Sequence, residues 1–258
     1  MTAATARALR WEGSGWAAAR DAPGAPAVAD SWLVDDGRVR GLDRHWARFE
    51  GSVHAVGGPD PAGFREAVAA ELPRDGRWFP RVELRLDAGP ELRLLLRPAP
   101  PTSDTVRAWI ADRPDPRLEP KRKGPDLDRL GALRAEAPDH GADEAMLSDS
   151  HGRLLEGAYS SLLWWEEDAL CVVDDEAAIL PGVTRALLID LAESNGVEVR
   201  RSRPAPEALS GREAWLTSAL HGIRAVTAWR PHGPSCGDPV RAAGWQERLR
   251  ALGQPLGE

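Results

Sequence analysis

Lysine is almost missing from this chain. Of its 33 basic residues only Lys121 and Lys123 are lysines, and the other 31 are arginines. Cysteine is as sparse: Cys171 and Cys236 stand alone, too few for a disulfide framework. No apolar run approaches the roughly 18 residues of a membrane span, and Met1–Trp16 lacks the apolar core of a signal peptide. An excess of positive charge is missing too. The 33 Lys+Arg face 40 Asp+Glu, a formal charge of −7, which argues against a protein held on nucleic acid by a basic surface. Gly-x-Ser-x-Gly, Walker and Gly-x-Gly-x-x-Gly motifs do not occur. None of the six histidines has a partner at i, i+4 beside a Glu, and the two cysteines are far apart, so no metal site is expected. With these absences, an intracellular, cytoplasmic protein with a soluble partner or a small molecule is expected.

The chain has 258 residues, 42% of them hydrophobic and 28% charged, enough for one large or two ordinary domains. Strand-like residues surround an Asp-Asp-Gly turn in residues 30–39, and a helix with Trp46 and Phe49 on one face is expected over 42–52. A second helix is expected over 61–70, opened by Pro61. Period-two alternation in 81–86 and 91–97, joined by Asp87-Ala-Gly-Pro90, predicts a hairpin. Pro98-Ala-Pro-Pro101 then breaks the pattern. The expected organisation is a small N-terminal α/β domain over 1–100, a linker over 101–105 and a larger domain over 106–258. In the larger part a Pro- and charge-rich loop over 112–125 leads to a helix over 127–137. Beyond it, strand-like and helical segments alternate. Two α/β domains with a ligand cleft between them are the expected architecture.

Lysine is also the chemical signal. Arginine replaces it freely in solvation and ion pairing, but arginine cannot lose its proton and attack a carbonyl, whereas a lysine amine forms a Schiff base. A lysine retained against a 31-to-2 bias is therefore a candidate amine, and a solvated surface lysine is the plain alternative. Further on, Leu180-Pro-Gly-Val-Thr-Arg185 feeds an apolar-faced helical stretch. Such a turn offers free N–H groups and a hydroxyl to an anion, or serves as an ordinary helix cap. Glu156 by itself carries no signal.

In their order and spacing these pieces resemble the class IV aminotransferases, the pyridoxal-phosphate family that includes branched-chain and D-amino-acid aminotransferases and aminodeoxychorismate lyase. The matching stretches are His45-Trp-Ala-Arg48-Phe49, Lys123-Gly-Pro-Asp-Leu127, Ala142-Asp-Glu-Ala-Met-Leu147, Gly152-Arg-Leu-Leu-Glu156-Gly157, Ser161-Leu-Leu-Trp164, Leu180-Pro-Gly-Val-Thr-Arg185 and Thr217-Ser-Ala219, and the likeness runs from about residue 29 to 228. The resemblance implies a two-domain fold, pyridoxal 5'-phosphate as cofactor, an amino-acid or aminochorismate-type substrate, and a homodimer. It makes Lys123 the Schiff-base lysine and proton shuttle. Glu156 is then the partner of the pyridine nitrogen, and Arg48, Val183, Thr184 and Ser218 are phosphate ligands.

The chain also departs from the family. Ala29-Asp-Ser-Trp-Leu33 stands where Gly-Asp-Gly-x-Phe-Glu is usual, Ser161 where many members have Asn, and Asp128 where transaminases place a Tyr five residues past the Lys. The only tyrosine, Tyr159, has packing beside Glu156 as its plain role. The absent Tyr and the Lys-x-x-x-Leu-x-Arg-Leu context favour an aminodeoxychorismate-lyase-like enzyme. A branched-chain or D-amino-acid aminotransferase, or an amine donor of specialised metabolism, is the alternative. A member that has lost the cofactor is the second alternative.

Overall fold

The computed structural model describes residues 6–20 and 23–257. Residues 1–5, where the stretch lacking a signal-peptide core begins, lie outside the described residues. The chain forms two compact units. One takes the chain up to Pro101 together with Arg122–Leu127 and the stretch from Leu252, and the other takes Thr102–Lys121 and Asp128–Ala251. The two returning segments belong with the N-terminal unit, so Lys123 is part of it.

In the first unit an antiparallel sheet runs in the order Trp16–Ala18, Arg7–Trp11, Glu91–Leu96, Arg81–Arg85, Val28–Ser31. The expected hairpin is there, with Val82 opposite Leu94 and Leu84 opposite Leu92. These apolar rows, with Val28, form the core with Trp46, Phe49 and Val53 of helix α1 (Leu42–Ala55) and with Phe64 and Val68 of helix α2 (Ala62–Glu71). Strand alternation puts Asp30, opposite Val82, on this same core face. The other face carries Ser31, Arg81, Glu83, Arg85 and Arg93. This face is shielded from solvent at its charges, since Glu83 is 2% and Arg85 4% exposed. The Asp-Asp-Gly turn joins Val34–Asp35 to Arg38–Arg40, with Asp36 and Gly37 both at positive φ, the geometry of a two-residue hairpin turn.

In the second unit a mixed sheet of eight strands runs Leu154–Gly157, Glu144–Ser148, Thr105–Ile110, Gly222–Arg230, Ala214–Ser218, Ser160–Glu166, Ala169–Val173, Val199–Ser202. Leu154–Gly157 also pairs with Ser160–Glu166, so the first six strands close into a ring. Closure occurs where Glu156 faces Ser161. Alternation along Ser160–Glu166 turns Leu162 and Trp164 into the core and Ser161, Leu163 and Trp165 to the opposite side. Helix α3 (Leu127–Glu136) adds Leu130 and Leu133 to the core. Helix α4 (Val183–Ser194) packs on Ala214–Ser218, and helix α5 (Ala242–Ala251) sets Trp245 against Trp165 and Trp215. Among the described residues no helix is long and apolar enough to cross a membrane.

Candidate active site

In the first unit the candidate residues meet around a buried carboxylate. Asp30 is fully buried, and His45 and Arg48, one turn apart on α1, both reach it. Arg48 gives Nε–H to Oδ2 and Nη2–H to Oδ1, each at 2.8 Å; His45 lies with Nδ1 2.8 Å from Oδ1, and the Ser31 N–H donates to Oδ1 at 2.7 Å. Burial pushes the Asp30 carboxyl up, but the Arg48 charge and the His45 contact outweigh it and hold the group well below the usual carboxylate range. Burial also lowers His45, against the pull of Asp30. A neutral His45 beside an ionised Asp30 is the tautomer with its proton on Nδ1.

Lys123 sits at the free edge of this sheet. The Ala29 N–H donates to its carbonyl at 2.7 Å, which straps the segment to strand Val28–Ser31. Gly124 makes the approach possible: at φ +142° it lies so close that a Cβ would stand 2.8 Å from Val28 Cα and 2.9 Å from the Pro26 oxygen. Burial lowers the Lys123 amine from its ordinary 10.5 to about 8. Asp30 opposes the shift, while the charges of Arg48, Arg97 and Arg81 reinforce it. About a tenth of such amines are unprotonated at pH 7. Lys121 instead reaches the Asp175 carbonyl from an exposed position.

In the second unit Glu156 is buried and accepts two hydrogen bonds on Oε1, from Arg117 Nη1 at 2.6 Å and from the Leu180 N–H at 2.7 Å. Burial raises the Glu156 carboxyl, with Arg117 and the Leu180 N–H opposing. Leu180 opens the turn into α4. Gly182 lies against Ser161, where a Cβ would be 2.5 Å from Oγ, so strand closure, carboxylate and turn form one assembly. Val183 and Thr184, both buried, begin α4, which has no side-chain cap and leaves its first N–H groups to another acceptor. Arg185 turns back to the Val173 carbonyl and to Asp175. Thr217 faces Ser161 in register, and Ser218 follows it at the strand end, its Oγ accepting the His221 N–H at 3.3 Å. Tyr159 is 43% exposed under the Arg134 guanidinium, and Asp128 is exposed at the start of α3.

Sequence reasoning named Arg48 and Lys123 but gave Asp30 no role, and it missed Asp115 and Arg117. Asp30 could have been found as a charge inside the Val28–Trp32 apolar stretch, and Arg117 only by its place in the Pro-rich loop. Among the described residues no group of three or more His, Cys, Asp or Glu could hold a metal ion. The side chains present suit pyridoxal phosphate: an amine that burial lowers from 10.5 to about 8, a buried carboxylate with arginine support, and an uncapped helix start behind Gly182, which lies against the Ser161 hydroxyl.

Residues 27–229 match the family described as amino-transferase class IV. Comparison with curated proteins gave no match. Among solved structures the chain is similar to a fold IV transaminase from Curtobacterium pusillum, with 23% identity over 95% of this chain and 97% of that one and a TM-score of 0.80. It is also similar to a hypothetical aminotransferase from Mycobacterium tuberculosis in its PLP-bound form, with 21% identity over 89% and 88% and a TM-score of 0.78. A third is the branched-chain amino acid aminotransferase from Escherichia coli, with 17% identity over 98% and 100% and a TM-score of 0.83. The chain belongs to the class IV aminotransferase family of pyridoxal-phosphate enzymes.

Proposed function

We propose that this enzyme acts on an amino-acid-type substrate in the manner of an aminodeoxychorismate lyase, with Lys123 as its catalytic amine. The observation that carries the catalytic assignment is the Lys123 amine, lowered to about 8 by burial and by the arginines around it. When bound, pyridoxal phosphate supplies an aldehyde for an amino group and a ring that accepts electron density. Lys123 Nζ would hold the cofactor and would take the proton from the substrate α-carbon. Glu156 would accept the ring N–H. Arg48, the N–H groups of Val183 and Thr184, the Thr184 hydroxyl and Ser218 would hold the phosphate. Arg81 and Arg97, whose charges act on Lys123, favour a substrate bearing carboxylates.

The lyase reading draws on Asp128 standing, exposed, where the transaminase tyrosine is expected. An aminotransferase is the second reading, favoured by structural neighbours that are transaminases. We also infer a homodimer from the family resemblance, which light scattering on the purified protein tests. The purified protein with pyridoxal phosphate should show the visible absorption of lysine-bound cofactor, and Lys123→Ala should lose it. A wild-type protein that stays colourless overturns both readings. Release of pyruvate from aminodeoxychorismate with no keto acid present supports the lyase. Turnover only with an added keto acid supports the aminotransferase instead.

A further inference from the structure

Arg117, whose side chain is 5% exposed, is placed directly on a proposed cofactor ligand, and neither the family resemblance nor the site assigned above gives it a role. It lies in the loop after strand Thr105–Ile110, and the loop is pinned where the Asp115 N–H donates to the Ser148 carbonyl at 2.9 Å. Asp115 grips the guanidinium through Nε at 3.0 Å and Nη2 at 2.7 Å, and its Oδ1 also accepts the Arg117 N–H at 3.0 Å. Nη2 further donates to the Ala178 carbonyl at 2.8 Å, two residues before Leu180. Nη1 is directed at Glu156 Oε1, and the side chains of Arg117 and Glu156 are 5% and 6% exposed.

We propose that Arg117, held by Asp115, is a positioning residue that keeps Glu156 an ionised hydrogen-bond acceptor and presents its Oε2 to the cofactor ring nitrogen. The geometry supports this in two ways. Arg117 and the Leu180 N–H converge on the same oxygen, so Oε1 is occupied and Oε2 is the atom to accept a further donor. A carboxyl this deeply buried takes up a proton unless a cation faces it, and a protonated carboxyl cannot keep a proton on the ring. Arg117 supplies that cation from a guanidinium whose position is fixed by Asp115 and by the Ala178 carbonyl.

The inference rests on Glu156 facing the ring nitrogen, and the experiment separates the two claims. The holoenzyme is prepared with cofactor labelled with nitrogen-15 in the ring, and the chemical shift of that nitrogen is followed against pH. In Glu156→Gln the shift should move to the deprotonated-ring value at every pH. In Arg117→Gln it should do so at pH 7 and return towards wild type as rising pH ionises Glu156, while kcat at pH 7 falls about 100-fold. If Glu156→Gln leaves the shift unmoved, the ring assignment fails. If Glu156→Gln moves it and Arg117→Gln does not, Arg117 is structural only and the proposal is overturned. Should Arg117→Gln not fold, the double variant Asp115→Asn/Arg117→Gln, which leaves no orphaned Asp115 charge, gives the same reading with the same outcomes.

Discussion

Asp30 takes four contacts in the first unit's constellation: two from Arg48, one from His45 and one from the Ser31 N–H. Removing one member of a buried, hydrogen-bonded ion pair leaves the other uncompensated, at a cost of about 3–5 kcal/mol. Asp30→Ala should therefore lower unfolding stability by about that much in urea titration, and a loss below about 1 kcal/mol would contradict the pairing described. Gly124 is a second single-residue constraint. At φ +142°, with backbone 2.8 Å from any added Cβ, Gly124→Ala combines strain and collision. It should cost about 1–3 kcal/mol and weaken cofactor retention by shifting the Lys123 strap, readable as faster loss of visible absorption on dialysis. The proposed amine was suggested by the sequence because 31 arginines left two lysines to choose between. Its charge state was not, because Arg81, Arg97 and Asp30 act on it from positions far along the chain.

At the level of elements, helix α1 carries core packing and proposed site residues on one segment. Trp46, Phe49 and Val53 enter the core, while His45 and Arg48 turn to Asp30. Trp46 is ringed by Trp32, Phe49 and Phe64 at centroid distances of 5.4, 6.0 and 6.1 Å. Trp46→Ala should cost about 3–5 kcal/mol and displace Arg48 with the helix, so stability and cofactor affinity should fall together. An affinity unchanged in the face of that loss would separate the two roles. Helices with a clear apolar stripe and strands with period-two alternation were readable from the sequence. Strand Gly222–Arg230 was not, although it lies between Ala214–Ser218 and Thr105–Ile110 in the ring. Its Arg224 is buried against Glu144 at 2.8 Å, and a buried charge breaks the apolar pattern by which a central strand is found. In the opposite sense, alternation in the hairpin put Arg81, Glu83, Arg85 and Arg93 on one face but could not tell that this face is buried.

For the whole molecule the buried ionisable groups give the two units opposite responses to pH. In the first unit Asp30 and His45 are both lowered, so the unfolded chain binds more protons there. Their contribution is lost as pH falls below about 6.5 for His45 and below the usual carboxylate range for Asp30. Lys123, lowered to about 8 from 10.5, adds stability as pH rises between those values. Glu156 in the second unit is raised, so it opposes folding as pH rises past its ordinary value. Between pH 8 and 10.5 the cofactor-free protein should therefore gain thermal stability relative to Lys123→Met, the raised Cys171 thiol acting the other way in both proteins. Parallel melting profiles for the two proteins across that window would refute the lowered amine.

By itself the sequence determined the two-part α/β organisation, the elements whose side-chain period is regular, and the order of motifs that marks the family. These are properties of residues a few positions apart, where backbone geometry dictates which side chains share a face. Tertiary structure alone decided which charges meet. Arg48 finds Asp30 across 18 positions and Arg117 finds Glu156 across 39. No local period encodes such pairs. They exist because strand register and helix packing bring distant backbone together and exclude the water that would otherwise screen them.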